Sequence, residues 1–185
     1  MDSKTIVFFG EDQFSNIVLT SLLKAGYKVP LVVSPLYDNA QHKRLEQTTT
    51  SNGIEYVREK DINSETVVAK VRHVKPDFLI TAHFEKLIKK ELINIPSVGC
   101  LNLHPSLLPH YRGMSPQHWP IINGEKETGV TVHYIDEGID TGNILLQEKI
   151  KLNDAMYVSD LQLKWIDIYK YIVTRSISAC CNRGG

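Results

Sequence analysis

Thr5-Ile6-Val7-Phe8-Phe9-Gly10 is a short β-branched and aromatic run closed by a glycine, and Ile17, Val18, Leu22 and Leu23 recur behind it at helical spacing. A run this short without polar alternation reads as a strand buried on both faces. Gly10 turns the chain into an amphipathic helix whose apolar residues face the sheet, and Gly26 closes that helix. The rhythm continues. Residues 29–33, with Pro30 near the start, read as a second strand and residues 54–57 as a third, separated by a polar loop and helix over 38–52. Ser64 is placed to cap a helix carrying Val67, Val68 and Val71, and Pro76 ends the connection before the strand Phe78-Leu79-Ile80-Thr81. A helix over 85–93 follows, then strands over 98–103, 130–135 and 144–150. Strand-helix alternation of this kind predicts an α/β fold, with a mainly parallel sheet covered by helices on both faces.

Such an opening invites a dinucleotide. Gly10-Glu11-Asp12-Gln13-Phe14, however, has one glycine where the fingerprint needs three, and its two acidic residues would repel a pyrophosphate. The 185 residues, 42% of them hydrophobic, suffice for one domain with a real core and a short appendage. Lys+Arg and Asp+Glu both number 21, so no basic excess points to nucleic acid and no acidic tail to disorder. Cys100, Cys180 and Cys181 form no CxxC pair and are odd in number, which predicts neither a zinc site nor a disulfide framework. No signal-peptide pattern or membrane-length apolar run is present, and the expected setting is the reducing cytoplasm.

The chemistry-bearing residues lie between Leu101 and Gly142. Asn102-Leu103-His104-Pro105-Ser106-Leu107-Leu108-Pro109 is followed by Glu127-Thr128-Gly129-Val130-Thr131 and then by Gly138-Ile139-Asp140-Thr141-Gly142. Side chains two residues apart on a strand point the same way, so Asn102 and His104 share a face while Leu103 enters the core. Pro105 cannot donate to a ladder and leaves His104 at a strand tip, where open α/β sheets keep their sites. Taken singly, each residue has a plainer explanation: His104 as a structural histidine, Asp140 as part of a glycine-flanked turn. His110, His118 and His133 could be grouped with His104 around a metal, but their spacings match no zinc pattern, so no metal is expected.

Read in order, and with Tyr111-Arg112-Gly113 between them, these blocks resemble the folate-dependent formyltransferases. The resemblance implies a Rossmann-like formyltransferase fold and transfer of a formyl group from 10-formyltetrahydrofolate to a primary amine. An amine attacking a formyl carbon develops a negative oxygen and a positive nitrogen, and the site must stabilise one and deprotonate the other. In that chemistry Asn102 and a proton-donating His104 face the oxygen, and Asp140 takes the ammonium proton. Ala82-His83-Phe84-Glu85-Lys86-Leu87-Ile88 resembles the segment that hydrogen-bonds the pterin through its backbone, with Lys86, Leu87 and Ile88 as the contacts. Leu87 and Ile88 could equally be the buried face of a helix. The turn Ile135, Asp136, Glu137, Gly138 corresponds to the pterin's other side, and His83 departs from the Tyr or Phe often found at its position. Ser106, Arg112 and Gln117 are the substrate-side candidates; Arg112 either pairs with a substrate phosphate or braces its loop. Ser115 and Pro116 are placed to start a helix, and Trp119 reads as core.

Acceptor identity is read from charge and length. The first turn looks more like those of methionyl-tRNA and sugar formyltransferases than like the glycine- and serine-rich turn of glycinamide ribonucleotide formyltransferases. Methionyl-tRNA formyltransferases carry a further C-terminal tRNA-binding domain, whereas residues 154–185 here read as a helical appendage to a catalytic domain over 1–153. The ending fits a natural minimal form and a truncated one equally. Residues 158–177 read as one long helix whose apolar face either packs back on the sheet or pairs with a second subunit in a homodimer. The expected acceptor is therefore a small-molecule amine, an amino sugar on a nucleotide, with nucleic acid and membrane disfavoured as partners. Methionyl-tRNA is the alternative. A 10-formyltetrahydrofolate hydrolase or a catalytically silent binding protein are others, although the hydrolases usually carry an N-terminal regulatory domain and a silent protein would be expected to lose a member of the triad.

Overall fold

Along β1 (Thr5–Phe9) the side chains leave alternately to two cores: Ile6 and Phe8 enter one cluster, Val7 and Phe9 the other. This is what burial on both faces requires of a central strand. The computed structural model describes residues 3–113 and 118–182. After β1 come α1 (Gln13–Lys24), β2 (Lys28–Pro35), α2 (Lys43–Ser51), β3 (Glu55–Glu59), α3 (Glu65–Val74), β4 (Phe78–Ala82) and α4 (Lys90–Ile93). The second half holds β5 (Gly99–His104), α5 (Trp119–Ile122), β6 (Glu127–Tyr134), β7 (Ile144–Lys151), α6 (Val158–Tyr169) and α7 (Ile172–Asn182).

The described strands form one seven-stranded sheet in the order β3-β2-β1-β4-β5-β6-β7. The first five run parallel, and β6 and β7 are antiparallel additions. Because β1 is flanked by β2 on one side and β4 on the other, the connections leaving β1 and β4 diverge, and a crevice opens beyond their carboxyl ends. Gly10 sits at this point: a Cβ there would meet Ser15 Cβ at 2.6 Å, so only glycine lets the strand turn this tightly into α1. Asp12 caps α1 by accepting from the Phe14 and Ser15 N–H groups, and Ser64 caps α3 by accepting from Val67 N–H.

Two expected helices differ. The segment 85–93 is helical only over Lys90–Ile93; residues 85–89 run without helix because Asn63 holds them from both sides, donating to Leu87 O (2.9 Å) and accepting from Lys89 N–H (2.8 Å). The long helix expected over 158–177 is two, broken at Lys170 and Tyr171. The break is a packing solution: α6 lies on α1 and β6, while α7 turns back across β6 and β7. Leu161, Trp165, Ile168, Tyr169, Ile172, Val173 and Ile177 are all buried in the cluster that holds Ile6 and Phe8. The apolar face of residues 158–177 is thus covered by the chain's own sheet and α1. Trp119, expected in the core, is 50% exposed, and Ser115 and Pro116 lie outside the described residues. Among the described residues no helix is long and apolar enough to cross a membrane.

Candidate active site

Asn102 and His104 project from the carboxyl end of β5 on the face that Cys100 shares with the second cluster, beyond the point where that cluster ends. Antiparallel pairing sets His133 of β6 directly opposite Asn102. The Thr81 hydroxyl, from neighbouring β4, donates to Asn102 Oδ1 (2.6 Å), which turns the amide nitrogen toward His133 Nε2 (3.0 Å). His133 Nδ1 meets the carbonyl of Tyr134 at 2.9 Å, so it carries a proton, and Nε2 accepts from the Asn102 amide.

Asp140 arrives from the β6–β7 loop. Its Oδ2 is 3.5 Å from His104 Nδ1 and its Oδ1 is 3.5 Å from His133 Nε2, while Gly113 N–H donates to Oδ2 at 2.8 Å. The loop is tight. A Cβ on Gly142 would lie 1.7 Å from the backbone oxygen of Tyr134, so that glycine is required by close approach, and one on Gly138 would displace the Thr141 hydroxyl at 2.1 Å. Asp136 closes the turn by accepting from Gly138 N–H and the Thr141 hydroxyl.

Burial opposes the Asp140 charge, but His133 and His104, whenever their rings are protonated, and the Gly113 N–H hold its carboxyl below the ordinary 3.8. His104 is 5% exposed, and burial pushes its ring below the ordinary 6.5 against the pull of Asp140 and the Tyr111 carbonyl. His104 Nε2 lies 2.8 Å from Tyr111 O and must donate to it, so Nδ1 of the neutral ring presents its lone pair to the Asp140 carboxylate. Two acceptors facing each other at this distance form a place for a proton. Tyr111, Asp140 and His83 are three of the four non-glycine residues with positive φ among the described residues. Such conformations cost about 1–3 kcal/mol each and persist where the surroundings impose them.

These groups line one end of a cavity of about 490 Å³. Its walls are residues 83–88 after β4 and Ile135, Asp136, Gly138 and Ile139 after β6; Glu11, Asp12 and Phe14 of the first turn line it as well. Lys86, Leu87 and Ile88 all line it, Leu87 half exposed and Ile88 buried. Within the described residues the backbone N–H and C=O groups of Phe84, Lys86 and Ile88 make no hydrogen bond, so a row of polar backbone borders the cavity wall. Glu137 is not on the lining and pairs with Lys90 at 3.3 Å.

Two substrate-side expectations change. Ser106 is fully buried: its hydroxyl donates to His110 O (2.7 Å), its carbonyl accepts from Thr131 Oγ1 (2.7 Å), and it shapes the loop instead of lining the cavity. Arg112 is exposed, does not line the cavity, and makes no ion pair among the described residues. Gln117 lies outside the described residues. Sequence reasoning missed Thr81, Glu11 and the structural role of His133. Thr81 and His133 flank Asn102 in register on the two neighbouring strands, a placement legible only once strand order is known. Glu11 is 4% exposed, and burial, with the neighbouring Glu85 and Asp12 charges, lifts its carboxyl to about 7 although Glu85 N–H donates to it at 2.9 Å. Among the described residues no group of three or more His, Cys, Asp or Glu side chains is arranged to hold a metal ion.

Residues 3–173 match the sequence model described as formyl transferase. The chain is 39% identical over 158 residues to a methionyl-tRNA formyltransferase of Thermodesulfovibrio yellowstonii, an alignment covering 82% of this chain and 51% of that protein. It is 33% identical over 176 residues to the bifunctional polymyxin resistance protein ArnA of Wigglesworthia glossinidia brevipalpis, covering 93% of this chain and 27% of that one. The fold resembles the crystal structure of phosphoribosylglycinamide formyltransferase from Anaplasma phagocytophilum, with a TM-score of 0.82 over 96% of this chain and 86% of that chain at 22% identity. This chain spans about half the length of the methionyl-tRNA formyltransferases it matches.

Proposed function

We propose the following function for this chain, which belongs to the formyl transferase family: it carries the site at which a formyl group passes from 10-formyltetrahydrofolate to a primary amine. The observation that carries this reading is the convergence of Asn102, His104 and Asp140 at one end of a cavity whose walls expose unpaired backbone groups at Phe84, Lys86 and Ile88. The folate supplies an activated one-carbon unit. The backbone of residues 84–88 and the turn at Ile135, Asp136 and Gly138 would hold its ring between them, a fit supported by an apolar wall edged with hydrogen-bonding groups.

The chain's own residues divide the remaining work. Asn102, whose oxygen is held by Thr81, keeps one amide N–H on His133 and has a second to offer to an oxygen that gains negative charge. The gap between His104 Nδ1 and Asp140 Oδ2 receives the proton that an attacking amine must lose. His104 has its Nε2–H on Tyr111 O, so its part in this arrangement is to take up a proton with Asp140, and its proton-donating role toward the oxygen requires the 111 carbonyl to yield.

For the acceptor, the relatives named methionyl-tRNA formyltransferase, at 39% and 38% identity, favour the amino group of methionyl-tRNA over the small amine expected from charge. The equal counts of basic and acidic residues favour the small amine, and this second reading stands on that observation. A competition of the two acceptor types at two salt concentrations separates them. Formylation of methionyl-tRNA whose affinity falls by orders of magnitude between about 50 and 200 mM salt supports the first reading; a salt-insensitive reaction confined to small amines supports the second.

A further inference from the structure

We propose that Tyr169, on α6, is a positioning residue for the folate-binding wall, acting through His83 on the turn from which residues 84–88 depart. The inference rests on the donor site assigned above. Tyr169 is fully buried, and its hydroxyl is 2.8 Å from His83 Nε2 although the two residues are 86 apart in sequence. His83 Nδ1 faces Asp12 Oδ2 at 3.5 Å. Its ring stacks on Phe14 with centroids 4.7 Å apart, and Tyr169 meets both rings edge-on.

The proton order along this chain of groups is fixed. Burial opposes the Asp12 charge, but His83 and the N–H groups at the start of α1 hold its carboxyl below the ordinary 3.8, so it only accepts. His83 Nδ1 therefore carries the proton and Nε2 is the acceptor. Burial raises the Tyr169 phenol well above its ordinary value, which keeps it O–H and makes it the donor to Nε2. Tyr169 to His83 to Asp12 is then one directional relay joining α6, the exit of β4 and the cap of α1.

The relay holds a residue that needs holding. His83 has φ +48°, a left-handed backbone that a histidine adopts only when its neighbours impose it. The Ser15 hydroxyl grips the preceding carbonyl, Ala82 O, at 2.7 Å, and Glu11 grips the N–H of Glu85 two residues on. Between those two points the His83 ring is held by Tyr169 and faces Asp12, and the His83 carbonyl lies 3.5 Å from the Ser15 hydroxyl. Without the Tyr169 hydroxyl the His83 ring loses its hydrogen bond at Nε2, and the unpaired backbone groups at 84, 86 and 88 are held less firmly against a ligand. Helix α6 thereby contributes to the cavity without lining it.

Tyr169→Phe removes one O–H and keeps the ring. Its affinity for 5-formyltetrahydrofolate, measured by calorimetric titration, should fall about three- to tenfold, and KM for 10-formyltetrahydrofolate should rise in parallel with kcat changed less than twofold. A residue that only stabilised the fold would instead lower the active fraction, seen as reduced kcat at constant KM; that outcome overturns the proposal. His83→Asn keeps a side chain that tolerates the left-handed backbone and removes the ring, and in that background Tyr169→Phe should have no further effect on folate affinity. Effects that simply multiply would also overturn it. Full folate affinity in both the wild type and Tyr169→Phe removes this inference alone, whereas a wild type without folate affinity removes the donor site with it.

Discussion

At the scale of single residues, the site is a set of polar side chains whose roles follow from what each already holds. Asn102 is turned by Thr81, His133 is committed through Tyr134 O, and the His104–Asp140 gap lacks a proton. Replacing Asp140 with Asn puts an N–H donor or a weak acceptor where a base is required, and formyl transfer should drop about a hundredfold or more while the fold and folate affinity persist. Circular dichroism and titration on the same preparation check the second half of that statement. The pair must be unprotonated to accept a proton, and burial lowers His104 from 6.5, so the rate should fall with decreasing pH only below 6.5 and be flat through neutrality. An inflection above 6.5 in kcat against pH would assign the proton elsewhere. Glu11 has the opposite sign. The folded chain keeps its proton to about 7, the unfolded chain releases it near 4.5, and stability therefore declines as pH rises through that window. Glu11→Gln should remove the decline and be more stable above pH 7, by about 3 kcal/mol at most, in urea unfolding at several pH values.

At the scale of elements, the motif Gly138-Ile139-Asp140-Thr141-Gly142 is a device for setting a carboxylate against a strand end. A Cβ at position 142 would overlap the Tyr134 carbonyl, backbone against backbone, with no flexible side chain to give way. Gly142→Ala should therefore displace the whole loop, costing about 2–4 kcal/mol in chemical unfolding and lowering activity together with stability. How much of this was legible varied with how local it was. The i, i+2 placement of Asn102 and His104 is a property of any strand and was read directly. Strand β1, the capping of α3 by Ser64 and the alternation of strands and helices were equally local. His133 and Thr81 join the site through strand pairing, and nothing in their own neighbourhoods marks them. Ser106 was misread because a serine beside a motif looks available, whereas the loop buries it against Thr131 and His110. The segment 85–89 has helically spaced apolar residues, yet a single distant side chain, Asn63, overrides that spacing.

At the scale of the molecule, the wall over residues 83–88, the His104–Asp140 pair and the C-terminal helices are tied to one sheet. The connections diverging after β1 and β4 open the crevice, the antiparallel strands β6 and β7 deliver Asp140, and α6 and α7 complete the core that holds β1 in place. Trp165 is 1% exposed at the centre of that packing, so Trp165→Ala should cost about 3–5 kcal/mol and lower the melting temperature sharply. The central claim is that Asn102, His104 and Asp140 move a formyl group from the folate to an amine. Its most direct test is a single-turnover reaction of this chain with 10-formyltetrahydrofolate labelled in the formyl carbon, with and without an amine acceptor, for wild type and Asp140→Asn. Label should appear in the acceptor for the wild type, dependent on the amine, and at least about a hundredfold less for the variant. Label released as formate at the same rate with or without amine, or transferred equally by the variant, would contradict it.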